Sequence, residues 1–160
     1  MKSDALPTIW TFNEKVTNRL FVWSGLSMAL GLVLQANRAA FWRAVGIQAM
    51  AWGAIDALIA WLGRRSAAKQ LAAGPTAAAE IGQARRLRWL LWLNALLDLG
   101  YMAGGTRLMR GSTGSDQPPS ETNAARRGHG WGILVQGAFL FVFDLWHALT
   151  IGDVPKPGND

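Results

Sequence analysis

Four long apolar stretches constrain this chain more than any other feature: Leu20–Gln35, Phe41–Gly63, Leu87–Met109 and Gly130–Ile151. The first carries no charge. In each of the others one acid interrupts the apolar core: Asp56, Asp98 and Asp144. A soluble amphipathic helix returns charge to its surface every turn. These stretches do not, and about 20 apolar residues is the length that crosses a bilayer. The pattern predicts an all-α fold, a four-transmembrane-helix bundle over residues 20–151, with the lipid bilayer as its first partner.

The flanks fit one domain. Residues 1–19 form an N-terminal segment in which Pro7–Asn18 is amphipathic, expected as an interfacial helix running into the first span. It does not read as a signal peptide, because acids precede a late apolar run and no small-residue cleavage site follows. Ala36–Ala40 is a tight connection that makes spans one and two an antiparallel hairpin. Arg64–Arg86 links spans two and three, with a surface helix expected to start near Thr76. Gly111–Arg127 is turn-rich and expected to be disordered, as is the tail 152–160 with Pro155 and Pro157.

Counting Lys and Arg orients the bundle. The N-terminal segment holds Lys2, Lys15 and Arg19. The second connection holds Arg64, Arg65, Lys69, Arg85, Arg86 and Arg88, and the tail Lys156. The first connection holds Arg38 and Arg43, and the third Arg107, Arg110, Arg126 and Arg127. The bias places both termini in the cytoplasm of a bacterial cytoplasmic membrane. Nine tryptophans against one tyrosine suit interfacial anchoring, with Trp10, Trp61, Trp89 and Trp146 at the inner boundary and Trp42 and Trp131 at the outer one.

The net charge of +6 does not indicate nucleic acid, since the basic residues flank apolar runs and build no basic face. Cysteine is absent, which removes disulfides and thiolate metal sites. His129 and His147 lie near opposite ends of one helix and cannot sandwich a haem iron. Glu-x-x-His pairs for a di-iron site are missing. No phosphate loop and no serine nucleophile with a base is visible, so no catalytic residue, metal or cofactor is expected.

Spans two and four share a spacing: Gln48 precedes Asp56 as Gln136 precedes Asp144, by eight residues. Such a repeat would make two helical hairpins of like orientation, related by an axis along the membrane normal. At a rise of about 1.5 Å per residue, Asn94, Asp56 and Asp144 share a level roughly 10 Å from the inner ends. By the same rule Gln48, Gln136 and Tyr101 share one at roughly 21 Å, with Asp98 between. Asn94, Asp98 and Tyr101 lie on one face of span three.

Each acid at a bilayer centre costs about 2.5–3.5 kcal/mol. Such residues turn inward, and they are protonated, paired or functional. Arg19 and Arg88 are placed to reach toward Asp56 and Asp144, and His147 lies one turn from Asp144. One reading makes this polar cluster interhelical glue, with Ala49, Gly53 and Ala57 on span two and Gly100 and Gly104 on span three allowing close packing. That reading gives a non-enzymatic accessory or self-associating subunit beside other membrane-protein subunits. A second gives a proton-, ion- or small-solute carrier or channel. A third gives a lipid- or pigment-binding subunit.

The strings NALLDLGYMAGG (Asn94–Gly105) and QGAFLFVFD (Gln136–Asp144), with the pattern Phe12, Asn13, Asn18 and Gly25 in the first span, resemble a bacterial family of small four-helix integral membrane proteins, a domain of unknown function. The resemblance runs from about Phe12 to Ile151, and it implies the topology and the polar positions but no activity. Span two departs from the family, which usually carries Asn at the position of Gln48 or Asp56.

Overall fold

The computed structural model of the protein describes residues 8–111 and 120–153. Four helices make up the fold: α1 (Ile9–Gln35), α2 (Ala40–Ala72), α3 (Ala77–Arg110) and α4 (Glu121–Thr150), followed by a single 3-10 turn at Ile151–Asp153. All six prolines lie outside these helices, as the missing N–H and ring clash of proline require. Thr8, Thr76 and Ser120 cap three of the helices, their hydroxyls accepting from the N–H of Thr11 (3.4 Å), Ala79 (3.2 Å) and Asn123 (3.2 Å). At the end of α2 the chain turns through Gly74, whose φ of +83° is the left-handed conformation that glycine adopts without strain.

Several flanking expectations change. The N-terminal segment does run into the first span: from Ile9 onward it is the first part of a continuous α1, and Ile9, Trp10, Asn13, Val16 and Thr17 are buried. Ile9 and Trp10 pack with Ala67 and Ile151 in a small apolar cluster at the end of the bundle. Trp10 therefore is not a boundary anchor; its Nε1 donates to Glu80 Oε1 at 3.2 Å. The helix expected to start near Thr76 does start there, but it continues unbroken as α3. The third connection is shorter than expected, because Ser120 caps α4 and Glu121–Arg127 is helical. Residues 112–119 of that connection, and 154–160 of the tail, lie outside the described residues.

α1, α2 and α4 are each long and apolar enough to cross a membrane. Arg88, Asn94 and Asp98 make α3 less apolar, although it turns Trp89, Leu96 and Leu97 outward. The exterior is aliphatic and aromatic: Val33 is 70% exposed, Leu96 66% and Trp146 62%. The buried residues include three aspartates. A water-soluble fold has the opposite distribution.

Glycines set the helix contacts. α1 and α2 form an antiparallel hairpin in which a Cβ at Gly31 would lie 2.7 Å from the Gly46 carbonyl oxygen, and one at Gly53 would lie 2.9 Å from that of Ser24. α3 and α4 form a second, in which a Cβ at Gly105 would lie 2.8 Å from the Gly130 carbonyl oxygen, and one at Gly137 would lie 3.4 Å from that of Asp98. The two hairpins meet where α2 runs parallel to α4, Gly128 against Phe41 and Ala44, and Gly132 against Gln48.

These contacts recur at equivalent positions. Gly31 meets Gly46 and Met50, and Gly105 meets Gly130 and Leu134; Gly53 meets Met28 and Ser24, and Gly137 meets Met102 and Asp98. Matching Gly31 with Gly105 and Gly46 with Gly130 thus sets a common register for the two hairpins. The register also shows in the sequence. Met28-Ala29-x-Gly31-x-x-Leu34 matches Met102-Ala103-x-Gly105-x-x-Leu108, and Ala40, Arg43, Gly46, Gly53 and Ala54 match Ala124, Arg127, Gly130, Gly137 and Ala138. The hairpins have like orientation, but the repeat is not the one based on Gln48 and Gln136. Gln48 is equivalent to Gly132, which it faces, and Asp56 is equivalent to Leu140.

Candidate functional site

Asp56, Asp98 and Asp144 come from three helices and line one cavity of about 230 Å³. The inward stripe of α3 is Leu91, Ala95, Asp98 and Gly105, a spacing that turns Asp98 toward α4 and α2. Asn94 and Tyr101 join the wall from the same helix, and Trp52, Leu20 and Leu140 complete it. The three acids are 2%, 3% and 6% exposed. Asp98 lies close enough to Asp56 and Asp144 for the charges to interact.

Asp56 Oδ2 and Asp98 Oδ2 are buried without a hydrogen-bond partner. An unsatisfied buried polar atom costs about 1–3 kcal/mol. Among the described residues no arginine, lysine or histidine pairs with the three carboxylates. Nor does any group of three acidic or histidine side chains among them converge closely enough to hold a metal ion.

The remaining sequence-derived candidates lie elsewhere. Gln48 Nε2 donates to His129 Nδ1 at 3.0 Å, tying α2 to α4. Gln136 joins α4 to α1, its Nε2 donating to Ser27 Oγ (3.3 Å) and its Oε1 accepting from Trp23 Nε1 (3.1 Å). The expected upper layer of Gln48, Gln136 and Tyr101 therefore does not form, because the two glutamines face different helices.

His147 does not pair with Asp144. Its Nε2 accepts from Arg19 Nη1 (3.1 Å) and its Nδ1 donates to the Phe143 carbonyl (2.7 Å). A guanidinium only donates and a carbonyl only accepts, so these neighbours fix the hydrogen on Nδ1. Arg19 is thereby engaged with the imidazole instead of an acid.

Ala49 and Gly53 are buried, and Gly53 packs on Ser24 and Met28 of α1; Ala57 is half-buried. Gly100 and Gly104, expected to pack helices, do not. They are exposed, and a Cβ at either would meet nothing within 4 Å. Gly105 closes the hairpin instead, because it continues the inward stripe while Gly100 and Gly104 lie on an adjoining face.

The internal equivalence shows how unusual this cavity is. Leu20, Ala60 and Leu140 form an apolar cluster in which Ala60 is fully buried. Their counterparts in the other hairpin are Asn94, Asp144 and Asp56, and the counterpart of Ser24 is Asp98. The apolar set and the polar set thus occupy equivalent positions, and they adjoin, since Leu20 and Leu140 also line the acidic cavity. The shared Met-Ala-x-Gly and Gly-Ala strings carry this signal in the sequence, in a register that comparison of Gln and Asp alone does not find.

Fold and cavity together define a class, a bundle of four helices with a membrane-type exterior and buried acids. Within that class the chain belongs to a family of unknown function, DUF6992, whose family model matches residues 19–145 and so takes in most of all four helices. No curated protein and no solved structure matches the chain.

Proposed function

We propose that this chain is a four-span integral membrane protein that binds positive charge, a proton or a small cationic solute, among Asp56, Asp98 and Asp144, as a carrier or channel does. The observation that carries this reading is the pair of buried, unpartnered oxygens on Asp56 and Asp98 inside a shared cavity. Buried acids turned toward one another need a counter-charge between them, and polar groups at membrane depth mark ion and proton paths. A pure glue role asks the acids to bond the glutamine amides, and those amides are engaged with His129 and with Ser27 and Trp23.

The outward Trp89, Leu96 and Leu97 support α3 as the fourth span. The Lys and Arg bias supports both termini in the cytoplasm and, with it, a bacterial cytoplasmic membrane. Proteoliposomes test the function. Wild type is expected to take up methylammonium or to move protons along an imposed gradient, and Asp98→Asn to lose that flux. Equal behaviour of wild type and a variant with all three acids changed to Asn would remove the proposal.

A further inference from the structure

We infer that the cavity takes an organic ammonium with an apolar body, which reaches it sideways through the crevice between α2 and α3. This rests on the reading above that the three acids hold positive charge.

Position-by-position comparison of the two hairpins carries the inference. The crevice between α1 and α4 is plugged at one level. Trp23 stacks on Phe139 with ring centroids 3.5 Å apart, and the same indole bonds Gln136, which bonds Ser27. Farther along, Leu26 and Leu30 line a shallower, largely apolar hollow of about 130 Å³. The counterparts on α3 are Leu97 for Trp23, Gly100 for Leu26 and Gly104 for Leu30. Trp23, which plugs one crevice, is replaced by a smaller leucine in the other, and beside it exposed glycines stand where α1 has leucines, a Cβ at either meeting nothing within 4 Å.

The walls of the open crevice suit such a guest. Trp52 and Tyr101 meet edge to face at 4.8 Å, in place of the Gln136–Ser27 bond of the other half. Both line the cavity that holds the acids, together with Ile55, Ile59 and Leu97. Aromatic rings and carboxylates around one space recognise an ammonium group, while aliphatic walls accept a hydrocarbon body. Asp56 and Asp98, 2% and 3% exposed, line this cavity, and each has a buried oxygen without a partner. The three acids do not converge into a metal cage, so a broad cation matches them better than a compact one.

Calorimetry on the full chain in nanodiscs tests this with three probes: 2-phenylethylamine, methylammonium and uncharged 2-phenylethanol. The amine with the phenyl body is expected to bind tightest, and the alcohol about ten- to a hundredfold more weakly, as loss of a charge-assisted bond implies. Gly100→Leu with Gly104→Leu, which gives α3 the leucines of α1, should weaken 2-phenylethylamine and leave methylammonium unchanged. Leu97→Trp, copying Trp23, is a second variant that guards against misfolding of the first; because Leu97 lines the cavity itself, it should weaken both amines, and 2-phenylethylamine the more.

Methylammonium binding as tightly as 2-phenylethylamine would overturn this inference and leave the cation site standing. Binding of neither amine would overturn the inference, and together with an absence of proton flux in the proteoliposomes it would overturn both readings. Equal binding of the alcohol, or indifference of 2-phenylethylamine to both crevice variants, would overturn the inference alone.

Discussion

Ala60 on α2 and Asp144 on α4 occupy equivalent places in the two hairpins, one fully buried between leucines and the other in a cavity shared with two more acids. Exchanging the character of such places is the most direct way to ask what the acids do.

Giving the polar positions the residues of their apolar counterparts, by Asn94→Leu with Asp56→Leu and Asp144→Ala, should raise stability. Replacing buried polar clusters with packed apolar groups often gains about 1–4 kcal/mol. Thermal unfolding in detergent reads the gain, and the flux assay reads the expected loss of function. A lower melting point in this variant would mean that the acids hold the bundle together.

Glycine variants separate contact from vacancy. Gly105→Leu and Gly130→Leu force a side chain against a helix backbone and should each cost about 1–3 kcal/mol or more, as overpacking does. Gly100→Leu should unfold at the wild-type temperature, because its side chain meets open space. Equal losses at Gly100 and Gly105 would contradict the assigned faces of α3.

Gln136→Leu removes an acceptor from Trp23 and a donor to Ser27. A loss of about 1–3 kcal/mol is expected, since the abandoned groups are left without partners at depth. Gln136→Glu keeps the acceptor and should retain the Trp23 bond, which indole fluorescence can follow.

Topology is open to single-cysteine labelling, because the native chain has no cysteine. A membrane-impermeant maleimide added to spheroplasts should modify Asn37→Cys and spare Gly74→Cys until the membrane is broken. Labelling of Gly74→Cys alone would invert the bundle.

Much of the fold is legible in the sequence, and the reasons are physical. Apolar runs of membrane length, with glycine and proline in the second and third connections, mark the helices, and Thr76 announces α3 through its capping hydroxyl. That the acids turn inward follows from the cost of facing lipid. Their convergence with Asn94 and Tyr101 in one cavity needs the rotation of each helix, which an isolated apolar pattern does not give.

The glutamines mislead because matching residue types suggested matching depth. Helix register is set by where backbones come close, and here glycines set it: Gly31 with Gly46, and Gly105 with Gly130. Gly100 and Gly104 mislead for a related reason, since small residues permit an approach without requiring one.

The contact between Gln48 and Gly132 has its own consequence. In a pair of identical two-helix chains this spot would oppose a residue to itself, two glutamines crowding each other or two glycines leaving a gap. Carrying both hairpins on one polypeptide removes that compulsion, so a long side chain can nest against a bare backbone. The same freedom allows one flank to remain greasy while its counterpart becomes acidic, a division of labour closed to any assembly of identical copies.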